Sequence, residues 1–167
     1  FQSQNLEGQE KKTFLRIFNS PYVSPEQKRN ILLEIFSKTK KIEIYKDLFP
    51  QALESSILMH PSETMFYILL GDYQLLHNEH EKALSNYVKA ANYGKQEKLL
   101  YERILNITLL NNKLDDVIFY AKKAIEYFPF EPIFYYYKGV ALLYKKQDEK
   151  VINIITRGLG YVIDDPQ

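Results

Sequence analysis

The chain contains no cysteine. Disulfides and thiolate metal sites are thereby excluded, whatever the compartment. No run of about eighteen apolar residues exists either, so no segment is expected to cross a bilayer as a helix and no direct membrane insertion is expected. An excess of one charge sign is also missing: 22 Lys and Arg stand against 21 Asp and Glu, a formal net charge of +1. A chain so balanced sets up no global field to gather nucleic acid or an anionic membrane surface, and no nucleic-acid partner is expected. The sequence opens without methionine and without a charged-then-apolar leader. Phe1-Gln2-Ser3 reads as the remnant of a cleaved tag, with the native sequence running from about Gln4 and cut from a longer chain.

Chemistry-bearing motifs are equally sparse. There is no phosphate-binding glycine loop and no nucleophile motif. His77 and His80 lie three apart beside Glu81, but no third histidine is near and the stretch reads as a solvated turn. Asp115-Asp116 opens a helix, where acids complement the N-terminal dipole. Neither it nor Asp164-Asp165 marks an enclosed acid/base pair. Lys38, Lys40 and Lys41, and again Lys145-Lys146, read as cations complementing helix ends rather than as phosphate sites. No catalytic residue, metal or cofactor is expected, and the chain reads as a non-enzyme.

What is present is a folded composition with an internal period. Apolar residues make up 46% and charged residues 26% of 167 residues, which argues for an ordered chain. Stepping by 34 residues aligns Gly71, Leu105 and Gly139; Ala83, Val117 and Val151; Ala90, Ala124 and Gly158; and Tyr67, Tyr101 and Tyr135. Each unit reads as two helices. In the first, Met65 to Leu76 is followed by Asn78 as a cap with Glu81 completing a capping box. Ala83, Leu84, Tyr87, Val88 and Ala91 then keep helical spacing up to Gly94, a C-terminal stop. In the second, Leu99 to Leu110 and a stripe from Val117 to Phe128 end at Pro129. In the third, Pro132 opens the first helix, and Val151, Ile155, Gly158 and Leu159 line the second.

These residues resemble the tetratricopeptide repeat, whose 34-residue pattern sets an aromatic, Leu-Gly, Tyr, Ala, an aromatic, Ala and Pro in order. Tyr67, Leu70-Gly71, Ala83, Tyr87 and Ala90 match in the first unit; Tyr101, Ala124 and Pro129 in the second; Tyr135, Gly139 and Val151 in the third. Leu105, Lys138, Ala121 and Ile155 depart from it. The resemblance implies an all-α fold, a right-handed superhelical solenoid of antiparallel helix pairs. The expected divisions are 1–3 as tag remnant and 4–24 as the end of a preceding helical unit and a loop. A divergent helix pair follows over 25–63, with Pro50 in a first turn or a kink, and then repeats over 64–97, 98–131 and 132–165. The variation among units is similar to that of bacterial arrays of the cell envelope; envelope and cytoplasm both stay open as locations.

The resemblance also implies a function: a non-catalytic scaffold offering a concave groove to a peptide or helix of a partner protein. Its groove positions fall on Met65, Ile68, Asp72 and Leu75, then Leu99, Glu102, Asn106 and Leu109, then Ile133, Tyr136, Val140 and Leu143. Glu102 stands where a carboxylate-clamping array needs a cation, so the expected ligand has apolar anchors and a basic group rather than a terminal carboxylate. Of the three successive tyrosines in Phe134–Gly139, Tyr135 is expected to pack inside its unit, Tyr136 to face the groove, and Tyr137 to point toward a neighbouring helix or the solvent boundary. The alternative is a structural spacer or self-association module within a larger protein. Val151, Ile154, Ile155, Leu159 and Val162 lie on one side of a last helix without a polar cap. A weak homodimer through this C-terminal helix pair, or continuation of the parent chain into another repeat, is the corresponding expectation.

Overall fold

The computed structural model describes residues 12–38, 45–94 and 96–163, without the side chains of 162 and 163. Readings that fell on the first three residues, on Lys40 and Lys41, on Val162 and on Asp164-Asp165 lie outside them. The described residues form nine helices and no strand, an all-α helical-repeat architecture. We number them α1 (12–18), α2 (Pro25–Phe36), α3 (Phe49–Met59), α4 (Thr64–Leu76), α5 (His80–Asn92), α6 (Lys98–Leu110), α7 (Leu114–Tyr127), α8 (Pro132–Tyr144) and α9 (Asp148–Ile163).

Helix starts follow local chemistry in part. Ser24 caps α2 reciprocally with Gln27: the Gln27 backbone N–H donates to Ser24 Oγ at 3.2 Å, and the Ser24 N–H donates to Gln27 Oε1 at 3.0 Å. Pro25 and Pro50 sit in the first turns of α2 and α3, where a missing N–H is harmless, so Pro50 needs no kink. The cap expected at Asn78 does not form. The residue before α5 is Glu79, without a side-chain capping bond, and Asn78 sits in the left-handed region at φ 60°. It terminates α4 instead.

That termination recurs. Asn78, Asn112 and Lys146 have φ of 60°, 55° and 56°, and they are spaced by the repeat length. At each, the residue after the left-handed one donates its N–H back to the helix: Glu79 to Gln74 O at 2.8 Å, Lys113 to Thr108 O at 2.9 Å and Gln147 to Leu142 O at 3.0 Å. The left-handed residues themselves donate to Leu75, Leu109 and Leu143. This double closure is the Schellman arrangement, and it turns the chain into the second helix of each pair.

The described chain divides at Gly94 into two compact units, and Gly94 ends α5 at φ 89°. In the first unit Phe14, Phe18, Leu32, Phe49, Leu53 and Phe66 centre a core drawn from α1 to α4, and α5 packs on α4. Lys28 lies within this unit at 0% exposure, its Nζ 3.3 Å from Met59 Sδ and 3.4 Å from His60 Nε2. Burial holds its ammonium below the ordinary lysine range. In the second unit α7 packs on α6 and α8, and α9 on α8, around Leu100, Ile104, Phe134 and Tyr135.

Within each pair, bulk on one helix answers its absence on the other. A Cβ at Gly71 would lie 2.6 Å from the Tyr87 ring, and one at Gly139 would lie 2.5 Å from Ile155 Cδ1. Leu105 and Ala121 hold the equivalent positions of the middle pair, both fully buried, with the large and small partners exchanged. The departures from the family pattern at 105 and 121 thus exchange large for small between equivalent positions, while at 155 an isoleucine takes the aromatic's place over the retained Gly139. A second column is aromatic. Tyr67 faces Tyr93, Tyr101 faces Tyr127, and Tyr135 faces Tyr161, with ring centroids 5.5, 5.7 and 5.5 Å apart. Burial, then the neighbouring phenol, pushes the Tyr101 hydroxyl up to about 12. Small residues let these rings in: a Cβ at Gly158 would stand 2.6 Å from Tyr135 Cβ.

Candidate partner-binding surface

Groove positions spaced by three, four and three residues share one face of a helix. In the first unit that face of α4 is largely absorbed by packing. Ile68 is 4% exposed, and Met65 packs against the core. Asp72 Oδ1 accepts a hydrogen bond from Tyr87 Oη at 2.6 Å, so this acid anchors the helix pair. Leu75 is half-buried.

In the second unit the same face reaches solvent. Leu99 on α6 and Tyr136 and Leu143 on α8 are 55%, 56% and 57% exposed. Asn106 is exposed, and Glu102, Leu109, Ile133 and Val140 are half-buried. Helices α6 and α8 lie against each other. Tyr137 Oη donates to Asn106 Oδ1 at 3.3 Å, which brings the middle of the two rows together. The Tyr136 and Tyr137 rings meet edge to face, centroids 6.0 Å apart.

The three tyrosines therefore divide their work. Tyr135 is fully buried and its hydroxyl donates to Pro129 O at 2.7 Å. Tyr136 is the exposed ring. Tyr137 bridges to α6; sequence reasoning left it off the surface, and its 31-residue separation from Asn106 gave no local signal. Burial, then the Glu102 carboxylate and Tyr136, raise the Tyr137 phenol above its ordinary value. Lys98, also missed, ion-pairs with Glu131 at 2.5 Å at the start of α6, and that bond raises its ammonium, with a smaller push from Glu102. The surface is thus apolar with polar groups at its middle and a neutralised pair at one end.

Elsewhere, His77 Nδ1 lies 2.8 Å from Tyr73 O and its ring packs on Tyr73 at 4.2 Å. Among the described residues no three metal-ligating side chains converge. Lys38 pairs with Glu34 at 3.0 Å, and Asp115 pairs with Lys145. On α9, Val151, Ile154 and Ile155 are half-buried and Leu159 is exposed. No helix among the described residues is long and apolar enough to cross a membrane.

No family model matches the sequence, and no curated protein matches it. Solved structures do. The chain is similar to a crystal structure of MamA at 14% identity, with a TM-score of 0.60 over 82% of this chain and 85% of that one. A second crystal structure of MamA protein gives the same identity and score over 92% of each chain. The crystal structure of the APC/C hetero-tetramer Cut9-Hcn1 is similar at 17% identity and a TM-score of 0.51, over 87% of this chain and 32% of that one. At such identities the likeness concerns the fold alone, and that fold is the tetratricopeptide-like helical repeat.

Proposed function

We propose that the chain is a non-catalytic protein-interaction scaffold whose α6–α8 face binds a peptide or helix of a partner protein. This reading divides the chain into repeats 64–97, 98–131 and 132–165, of which the last two carry the face. The observation that carries it is the exposure of Leu99, Tyr136 and Leu143, three large apolar side chains on the one face formed by adjacent helices. Exposed apolar side chains along one face of two packed helices are the kind of surface a partner segment covers. Tyrosine supplies a rigid anchor with few rotors to immobilise. Glu102, Asn106 and Tyr137 at the middle add polar partners suited to a basic or amide group between the ligand's apolar anchors.

A random peptide library selected against the whole chain tests this. The expected binders carry apolar residues about a helical turn apart or on alternate extended positions, with a basic residue between. Their affinity should fall about tenfold or more for Tyr136→Ala and for Glu102→Lys. Binders indifferent to both changes, with circular dichroism unchanged, would overturn the reading. Concentration-dependent self-association abolished by Leu159→Lys, with no peptide selected, would favour the self-association module.

A further inference from the structure

A cavity of about 570 Å³ lies within the second unit between α7, α8 and α9. At about 100° per residue, Lys138, Leu142 and Lys145 line it from the face of α8 opposite Tyr136 and Leu143. Lys150 and Arg157 of α9 face it too, against one acid, Asp115, which is bonded to Lys145. Among the described residues Lys150 Nζ donates to the neutral Gln147 side chain, at 2.9 Å, and is at ion-pair distance from no carboxylate, and Arg157 lies over the Tyr135 ring at 5.6 Å.

Lys138 is the residue the fold does not explain. The equivalent positions of the two preceding repeats are Leu70 and Ile104, both buried. Among the described residues Lys138 has no carboxylate at ion-pair distance. Its half-buried ammonium is held below the ordinary lysine range, first by burial, then by Lys122 and Arg157, with Glu126 offsetting only in part. The first unit supplies the comparison. A cavity of about 450 Å³ occurs there at positions two repeats earlier, with Leu70 in place of Lys138, and with Lys82 and Lys89 in place of Lys150 and Arg157. It includes the acid Glu54, and its Lys82 pairs with Glu79 at 3.0 Å. The cavity itself is a product of stacking helix pairs; the later copy carries the larger excess of positive charge, four cations against one acid where the earlier has two against one.

We propose that the cavity between α7, α8 and α9 binds an extended acidic peptide segment of a partner, with two carboxylates three residues apart and an apolar side chain between them. Lys150 and Arg157 are two helical turns apart, about 10 Å along α9. A chain extended as polyproline II brings every third side chain to the same face, about 9 Å apart, which sets the acids opposite the two cations. A single phosphate group is far smaller than that separation. Leu142 and Ile154 line the space between and receive the apolar side chain, and Lys138 meets the carboxylate nearer Arg157. Arginine engages it in a planar, bidentate manner, and the anion relieves the repulsion between the two cations.

The test is fluorescence anisotropy of the whole chain at low ionic strength with a fluorescein-labelled Gly-Glu-Leu-Ile-Glu-Gly peptide. A peptide with both glutamates replaced by glutamine is the control. Binding should require the acids, weaken with salt, and fall about tenfold for Lys138→Leu and further for Arg157→Glu. Lys138→Leu restores the repeat's apolar residue, so its melting temperature should be equal or higher and the loss cannot be ascribed to unfolding. Tyr136→Ala should leave this binding unchanged, which separates the result from the α6–α8 reading. Equal binding of the glutamine control, or full binding by Lys138→Leu, would overturn the proposal. Inorganic phosphate that raises the melting temperature and displaces the peptide at equal concentration would overturn it in favour of a phosphate group.

Discussion

Exchanging the large and small partners of the middle helix pair tests the packing logic most severely. Leu105 is fully buried where its counterparts are Gly71 and Gly139, and Ala121 is fully buried where they are Tyr87 and Ile155. Leu105→Gly alone empties a leucine-sized volume, about 2–5 kcal/mol, and places glycine inside α6 for about 1 kcal/mol more. Ala121→Tyr alone forces a ring into an occupied space, about 1–3 kcal/mol or above. Independent effects would sum to about 4–9 kcal/mol, enough to unfold the unit. The double variant recreates the first pair, in which the Tyr87 ring lies 2.6 Å from where a Gly71 Cβ would stand. Its loss should be only about 1–3 kcal/mol, a coupling of about 3 kcal/mol in its favour, at the top of the range for contacting residues. Urea melts of the four chains, followed by circular dichroism, give the cycle. A double variant no more stable than Leu105→Gly would refute the pairing of 105 with 121.

Other substitutions probe single features. Lys146→Gly should raise stability by about 0.5–1 kcal/mol in the same melts, because relief of the left-handed strain exceeds the added entropy of the unfolded glycine; a loss would mean that the side chain, not the backbone, holds the turn. Gly158→Ala should destabilise, since its Cβ would meet Tyr135 Cβ at 2.6 Å, whereas Gly160→Ala, with nothing within 4 Å, should gain about 0.5–1 kcal/mol of helix propensity. For Lys28 the folded ammonium titrates below its unfolded value. The unfolded chain therefore binds more protons between the two, and stability should rise with pH across that alkaline window. Tyr101 acts oppositely: with its folded phenol near 12, stability falls as unfolded tyrosine ionises above about 10. Lys28→Met should remove the rising limb and raise the melting temperature at neutral pH.

Much of the fold was legible because it is local and periodic. Four columns at 34-residue spacing, prolines at helix starts and Gly94 at a helix end are visible without tertiary knowledge. The turn was misread because Asn78 suits an N-cap and a left-handed position equally, and a lysine at 146 signals neither. The partner column Tyr93, Tyr127 and Tyr161 went unread, although it keeps the same period, because tyrosine near helix ends also occurs as solvent-facing residue. Lys28 could not be found, since a buried lysine and an exposed one look alike in a sequence. For the candidate surface, spacing gave a face but not its exposure. Ile68 and Tyr136 hold equivalent positions, yet one is covered and the other open. The cation cavity needed three helices placed together before Lys138 stood out as more than a departure from the pattern.

The absence of cysteine allows the central claim to be tested by placing one reactive thiol at a time. Leu110→Cys at the edge of the α6–α8 face, beside Leu109, and Ile152→Cys on the exposed face of α9 can each carry a benzophenone maleimide. Both are irradiated with the peptide selected against the unmodified chain, and the products are mapped by mass spectrometry. Crosslinking from position 110 and none from 152 is the result the account predicts. Crosslinking from 152 alone would contradict it.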